Sequence, residues 1–356
     1  MIIGIDARLW SETGVGRYIR QIFYLLPKID KKNDYVWFLS EKEFQTLNLP
    51  RPNWKKVLAK LHWHTLSEQI MMPILFYREK LDLLHIPYVN FPFLYFGKTV
   101  STIHDLIPDH FKTGRASTLP FWFYLIKKIG YHFLVWMATV RARRIFTLSR
   151  DAQHELVAHY HLKPEKIVFT YEAGTLEGNM VKTTSQIQQY KPYILYVGNA
   201  HPHKNVENLI KAMDYLPELN LVLAGYDNFF FPKLPKHPRV IPIGFIPNEE
   251  IIGWYKNASA FVSASRMEGF GIPPLEAMSV GCPVILSDIP VFHEINGEAA
   301  IYFNEEDPKN IAEVISKTLK NKKLLENLVK KGYKQVQNYS WEKMVSEIHR
   351  TYEEVI

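Results

Sequence analysis

Short apolar runs, each followed by a segment of helical spacing, recur along this chain in two series. Ile2 to Ala7, Tyr35 to Leu39, Leu83 to Ile86, Thr99 to Ile103, Arg144 to Leu148 and Lys166 to Thr170 make the first series. Tyr193 to Val197, Leu219 to Ala224, Val240 to Ile246, Phe261 to Ala264 and Pro283 to Leu286 make the second, which Pro283–Leu286 closes. A strand that is apolar throughout has both faces covered, and the interleaved helices supply the cover. Each series therefore predicts a parallel α/β sheet. The clearest helical spacing lies over Gly14 to Leu26, Asp151 to Tyr160, Val206 to Met213 and residues 307–338, the last as two helices. A final helix follows Ser340, read as its N-cap, and runs to about Val355.

Residues 175–190, between the two series, are polar and aperiodic, which marks a linker. At 356 residues the chain is too long for one ordinary core. The expected organisation is a domain over 1–180 and a second over 181–338, two doubly wound halves facing a central cleft. Ligands of open α/β sheets bind beyond the carboxyl ends of the strands, so motifs at those ends matter most.

Composition narrows the classes. Cys282 is the only cysteine, so an internal disulfide and a zinc site are excluded, and its place in an apolar run reads as packing. The N-terminus reads as a first strand, not a signal peptide. No uncharged apolar run reaches the ~18 residues of a spanning helix, and a cytoplasmic protein is expected. The net charge of +7 suits an anionic substrate, a membrane surface or nucleic acid. Nucleic acid is disfavoured by the lack of zinc-finger spacing, of an RNA-binding aromatic signature and of a dense basic tail. Residues 119–144 are aromatic and apolar with basic flanks, including Phe121 to Ile126, Lys127, Lys128 and Arg141. That composition fits a helix in a bilayer interface or an amphipathic helix packed on the sheet.

The most informative stretch is Glu268-Gly-Phe-Gly-Ile-Pro-Pro-Leu-Glu276. It follows an apolar strand and enters a helix, and prolines suit a first helical turn. A helix N-terminus is an anion site because its unpaired N–H groups and the dipole favour negative charge. The two glutamates could be misread as a hydrolase pair, which would need a separation of roughly 5–9.5 Å; the intervening glycine turn points to binding roles instead. Gly14-Val-Gly16 follows the first strand and opens a helix, either to approach a phosphate or sugar or as a plain tight turn. His104 ends a strand and is placed to donate to a sugar hydroxyl or phosphate, or to be held by Asp105. In Val197-Gly-Asn199-Ala-His-Pro-His203-Lys204-Asn205, Lys204 stands beside a helix start where it would neutralise a diphosphate, and Asn205 is read as the helix cap. No Asp-x-Asp pair and no metal-spaced His/Cys cluster appears, so no metal is expected.

Together these motifs resemble the GT-B glycosyltransferases of family 4, the retaining group that includes bacterial mannosyltransferases of O-antigen and capsule assembly. The resemblance rests on Gly14-Val-Gly-Arg-Tyr18, Ile103-His-Asp-Leu-Ile-Pro108, Pro202-His-Lys-Asn205 and the E-x7-E run to Met278, and covers essentially the whole chain. It implies that residues 339–356 cross back to the first domain. It implies that Glu276 and Leu275 lie at the nucleotide, with Glu276 on the ribose, and that Glu268 faces the donor sugar. Phe270, Gly271 and Ile272 would offer backbone donors, Lys204 would neutralise the diphosphate, and His104 would reach the sugar or its phosphate. The Gly14–Gly16 loop would close over the site and Ile246 would contact the base. Relatives carry an arginine where this chain has His203 or Asn199; Arg17, Arg266 or a protonated His203 are the candidates to compensate. The implied reaction is transfer of a sugar from a nucleotide diphosphate, GDP-mannose by the likeness to mannosyltransferases or else a UDP-sugar, to a glycan or lipid-linked acceptor. No separate cofactor is implied. The alternatives are a nucleotide-sugar epimerase or hydrolase, and a binding subunit of weakened chemistry.

Overall fold

The computed structural model describes residues 1–61, 63, 65–111, 121–176 and 186–356. The side chains of residues 121–125 and 127 also lie outside the description, so the Phe121–Leu125 run and Lys127 are not placed, and most of the polar stretch read as a linker is outside it too. In chain order the elements are β1 (Ile2–Asp6), α1 (Gly14–Ile29), β2 (Asp34–Leu39), α2 (Glu41–Thr46), β3 (Trp54–Leu58), α3 (Leu66–Arg78), β4 (Leu83–Ile86), β5 (Thr99–Thr102), α4 (Ile107–His110), α5 (Phe121–Arg141), β6 (Arg144–Thr147), α6 (Arg150–Tyr160) and β7 (Ile167–Phe169). They continue with α7 (Gln186–Gln189), β8 (Tyr193–Val197), α8 (Val206–Ala212), β9 (Asn220–Ala224), β10 (Val240–Gly244), α9 (Asn248–Asn257), β11 (Ala260–Ser263) and α10 (Ile272–Ser279). Then come β12 (Val284–Ser287), α11 (Pro290–Asn296), β13 (Ala300–Phe303), α12 (Pro308–Lys320), α13 (Lys322–Val336) and α14 (Trp341–Val355).

The chain divides into two compact units, Met1–Leu106 with Leu119–Glu172 and Trp341–Ile356, and Ile107–Thr118 with Ala173–Ser340. The division falls at Glu172–Ala173, upstream of the polar stretch. Its cause is close packing: a Cβ on Gly174 would stand 2.3 Å from Leu275 Cβ and 2.6 Å from the Glu276 amide nitrogen, so the chain is already seated on α10.

The first unit holds a seven-stranded parallel sheet in the order β3-β2-β1-β4-β5-β6-β7. The period of two along β4 assigns its faces. Leu84 and Ile86 pack with Met72 and Phe76 of α3, while His85 points the other way, its Nδ1 2.6 Å from the Tyr352 hydroxyl of α14. Ile145 of β6 likewise packs with Val135 and Ala138 of α5, while the Phe146 ring faces Tyr352. Hence α3 and α5 share one face of the sheet and α14 lies on the other. The Thr65 hydroxyl caps α3 by accepting from Glu68 N, and the Ser149 hydroxyl caps α6 by accepting from Ala152 N.

The second unit holds a six-stranded parallel sheet in the order β10-β9-β8-β11-β12-β13. The second series therefore does not close at β12: β13 pairs with it in parallel register, Val284 opposite Ala300 to Ser287 opposite Phe303. The core on one face joins Leu209 and Ile210 of α8, Ile311 and Ile315 of α12, and Ile194, Leu221 and Val262 of the sheet.

Candidate active site

Strands β8 and β11 are remote in sequence and adjacent in the sheet, Ala260 opposite Ile194 and Phe261 opposite Leu195. The chain builds outward from β8 through β9 to β10, then returns to build from β11 through β12 to β13. Such a reversal leaves a crevice at the carboxyl ends of the two central strands. The loops that leave those two ends hold Lys204 and Glu268. A single 3-10 turn, Pro202–Lys204, aims the lysine across. Lys204 Nζ donates to Glu268 Oε1 at 2.7 Å and to Oε2 at 2.6 Å. Ser265 Oγ donates to the same Oε1 at 2.7 Å, and the Ser263 hydroxyl lies 3.0 Å from that of Ser265. The lysine and glutamate side chains are 20% and 12% exposed, so solvent, and equally a ligand, reaches the pair.

The turn Gly269–Gly271 leads from this pair into α10. Gly271 is the N-cap in the left-handed region, φ +89°, and a Cβ there would also stand 2.8 Å from the Phe292 ring. A side chain is thus strained twice over at this position. Pro273 and Pro274 fill the first turn and have no N–H, so two of the four unpaired amides of a helix start are missing and Gly271 and Ile272 supply the others. The anion site is smaller than a helix start of ordinary composition provides. The Phe270 ring is buried against Tyr339, at 5.6 Å, and the Leu275 side chain is fully buried, so both can offer a ligand only backbone. Glu276 is the fifth residue of α10, in its second turn rather than its first, and is buried; the Tyr255 hydroxyl on α9 donates to its Oε2 at 2.9 Å.

The structure corrects the expectations for Asn205 and His203 and places the remaining candidates. Asn205 does not cap α8 with its side chain: it takes a left-handed backbone, φ +53°, and its Nδ2 donates to the Glu305 carbonyl at 2.8 Å. That bond ties the lysine loop to the loop after β13. His203 is not a second cation. Burial, then Lys204, then His201 push its pKa down to about 2, so it is neutral, and its buried Nδ1 finds no hydrogen-bond partner among the described residues. Arg266 is held by Glu306, Nη2 to Oε2 2.9 Å, with Nη1 3.3 Å from the Pro202 carbonyl. Arg17 belongs to the first unit, its guanidinium 5.5 Å over the Trp341 ring. Asn199 is used within its own loop, its carbonyl accepting from the Tyr196 hydroxyl at 2.5 Å and its Oδ1 from His201 N at 3.3 Å. Ile246 follows the end of edge strand β10, two strands from β8, behind the exposed Phe245.

In the first unit His104 follows the end of β5, almost wholly buried. Its Nε2 is 3.0 Å from the Pro87 carbonyl, which can only accept, so Nε2 carries the proton. Burial pushes its pKa down to about 4 against the opposing effect of that bond. The neutral ring therefore presents Nδ1 as an acceptor, and the expected donation to phosphate or hydroxyl is reversed in sense. A Cβ on Gly16 would stand 2.4 Å from the Trp10 carbonyl oxygen, so this glycine serves its own turn, whereas one on Gly14 would meet nothing within 4 Å.

Three supporting residues went unnoticed in the sequence. Ser265 and Tyr255 hold the two glutamates. Asp227 orders the loop after β9, accepting from Ala200 N at 2.9 Å, Phe229 N at 3.0 Å and Phe231 N at 3.1 Å. Burial opposes ionisation of this carboxyl, but the backbone donors outweigh it and hold its pKa below the ordinary value. Only Ser265 left a signal, as a hydroxyl at the end of a buried strand three residues before Glu268.

A family model, glycosyl transferases group 1, matches residues 181–335, which contain the Lys204–Glu268 pair, the turn and Glu276. The O-antigen chain mannosyltransferase RfbU of Salmonella typhimurium is 28% identical over 297 residues, 81% of this chain and 78% of that protein. The O-antigen chain mannosyltransferase B of Escherichia coli is 28% identical over 230 residues, 59% of this chain and 60% of that protein. Among solved structures, the sucrose-phosphate synthase of Thermosynechococcus elongatus superposes with a TM-score of 0.77 at 18% identity, covering 99% of this chain and 98% of that one. With its two parallel-sheet units and the group 1 match over the second of them, the chain is a glycosyltransferase of GT-B fold, a hexosyltransferase.

Proposed function

We propose that this chain transfers mannose from GDP-mannose to a glycan or lipid-linked glycan acceptor, with retention at the anomeric carbon and without a metal, as a family 4 enzyme. The observation that carries the reading is the Lys204–Glu268 contact, 2.6 Å at its shorter, at the switch point of the second sheet and one turn before α10. The likeness to two O-antigen mannosyltransferases supports the sugar. In this reading the diphosphate takes the ammonium of Lys204 in competition with Glu268, which keeps Ser265 as a donor. The bond from the anomeric carbon to the diphosphate oxygen breaks, and negative charge grows on that oxygen. Lys204 and the amides of Gly271 and Ile272 stabilise it as it grows, the part of the barrier that preorganised donors lower most. The acceptor hydroxyl bonds to the anomeric carbon from the same face and gives its proton to a departing phosphate oxygen. Glu276, held by Tyr255, binds the ribose hydroxyls.

A second reading is favoured by the neutral His203 and the Glu306-bound Arg266. With Lys204 as the cation of the lysine loop, a nucleotide-sugar-binding subunit of weakened chemistry fits the same geometry. Calorimetry with GDP, UDP and ADP, followed by incubation of the preferred nucleotide's mannose or glucose conjugate with and without a glycan acceptor, separates the readings. GDP preference with acceptor-dependent release supports transfer. Nucleotide binding without release supports the subunit, and release without acceptor supports a hydrolase or epimerase.

A further inference from the structure

The loop after β9 carries Phe229-Phe230-Phe231, and all three side chains are only half-buried. Phenylalanine has no polar tip to keep in water, yet Asp227 fixes these residues by accepting from the amides of all three. The same carboxylate accepts from Ala200 N of the lysine loop at 2.9 Å, so it holds two loops as facing walls. Between them lies a cavity of about 360 Å³, lined on one side by His201 and Pro202 and on the other by Phe229, Phe230 and Leu234. The His201 and Phe230 ring centroids are 4.8 Å apart. Lys233 Nζ stands 3.1 Å over the centre of the Phe229 ring and covers one face of it, which leaves Phe230 and His201 as the apolar bed. Burial pushes the His201 pKa down against the pull of Asp227, so this ring is neutral at pH 7 and above.

This cavity is separate from the candidate active site. Along β8 and β11, Ile194 and Val262 face α8. Their neighbours Tyr193 and Phe261 face α9, the Tyr193 hydroxyl donating to the Trp254 carbonyl at 2.7 Å and the Phe261 ring lying 5.9 Å from Tyr255. Tyr255 and the Glu276 it holds are therefore across the sheet from α8, whose first residues, Val206 and Glu207, line the cavity. Lys204 and Glu268 do not line it. The lining is nearly balanced in charge: Lys233 and Arg266 face Glu207, and Glu306 already holds Arg266. A phosphate or a carboxylate ligand meets little net positive field there. A neutral polyol meets both kinds of partner at the rim, the Lys233 ammonium to donate and the Glu207 carboxylate to accept. A pyranose has that make-up, a C–H face that packs on aromatic rings and hydroxyls around its edge. The volume lies at the low end of the ~300–1,000 Å³ of small-molecule sites, room for a mono- or disaccharide.

We propose that the cavity between the lysine loop and the loop after β9 is a carbohydrate site in its own right, which takes neutral pyranose rings of a glycan on the α8 face of the second unit, apart from the Lys204–Glu268 pair. It requires no assignment of the donor's base or sugar. The test is saturation-transfer NMR of the full chain, by titration, with mannobiose and maltose, and with methyl glucuronide and inorganic phosphate as anionic controls. At least one of the two disaccharides is expected to bind more tightly than either anion, and saturating GDP should leave its signal in place. Phe230→Ala and, separately, Glu207→Ala should each weaken that binding roughly tenfold or more. Urea midpoints on the same samples show that the variants are folded, whether or not GDP proves to be the nucleotide. Glu207 is exposed, so its variant decides the matter if Phe230→Ala unfolds. Binding of neither disaccharide overturns the proposal, as does wild-type affinity in either folded variant. Displacement by GDP, which puts the sugar in the crevice at Lys204, or tighter binding of the glucuronide or phosphate also overturns it.

Discussion

Each sheet has a switch point, and the two hold the same kinds of charge in opposite conditions. In the first unit, at the ends of β1 and β4, Arg8 donates to Asp6 at 2.8 and 2.6 Å and to Glu68 at 2.5 Å, and Asn90 closes on Glu68 at 2.9 Å. Those three ionic side chains are 4%, 8% and 2% exposed. In the second unit, Lys204 and Glu268 are more open, at 20% and 12%, and stand beside a glycine turn and a helix start. Topology places charge at both crevices; burial decides its use. The enclosed cluster borders a cavity of only about 10 Å³, too small for a phosphate, and serves as scaffold, while the open pair can exchange one partner for a ligand's phosphate.

That contrast can be broken by substitution. Arg8→Met leaves two carboxylates buried without their cation and should cost about 3–5 kcal/mol of stability, read as a large fall in the urea midpoint. Lys204→Ala should leave the midpoint within about 1 kcal/mol, since a partly exposed pair contributes little to folding. Its effect belongs to the chemistry, about 3–4 kcal/mol or roughly a hundred- to thousandfold in turnover. Equal loss of stability in the two variants would erase the distinction between scaffold and site. Tyr255→Phe removes a hydrogen bond to a buried carboxylate and should weaken nucleotide binding by about 1.5–3 kcal/mol, measured by calorimetry, with Glu276→Gln as a comparison. The smallest effect is expected at His203. Its folded pKa, near 2, is depressed below its unfolded value, so the ring is neutral in the folded protein between pH 6 and 8. GDP affinity across that range should follow the same profile in the wild type and in His203→Gln. A loss of affinity toward pH 8 in the wild type alone would restore His203 as a cation.

Much of the fold was legible in the apolar runs, and the omissions have physical causes. Strand β3 carries Lys55 and Lys56 because it lies at the sheet edge, where lysines discourage further pairing, and those charges hid it. Helix α3 buries Glu68 and Gln69 and turns Leu66, Ile70, Met71 and Ile74 outward, so the periodic contrast that reveals a helix is weak there. Strand β13 is four residues long at the opposite edge of the second sheet. At the candidate site the run from Glu268 to Glu276 and the residue Lys204 were legible as residue types at strand ends. That Lys204 grips Glu268 was not, because it depends on β8 lying beside β11. The acceptor sense of His104 depends on the Pro87 carbonyl, and the neutrality of His203 on its burial, neither of which spacing reveals.

The central claim is that the Lys204–Glu268 pair is where the donor's diphosphate binds. Titration of GDP into wild type and Lys204→Ala at low salt, with urea midpoints recorded on the same preparations, tests it most directly. The account predicts affinity lower by roughly tenfold or more in the variant, as for loss of a charge-assisted hydrogen bond, with stability nearly unchanged. Equal GDP affinity in two equally stable proteins would contradict it.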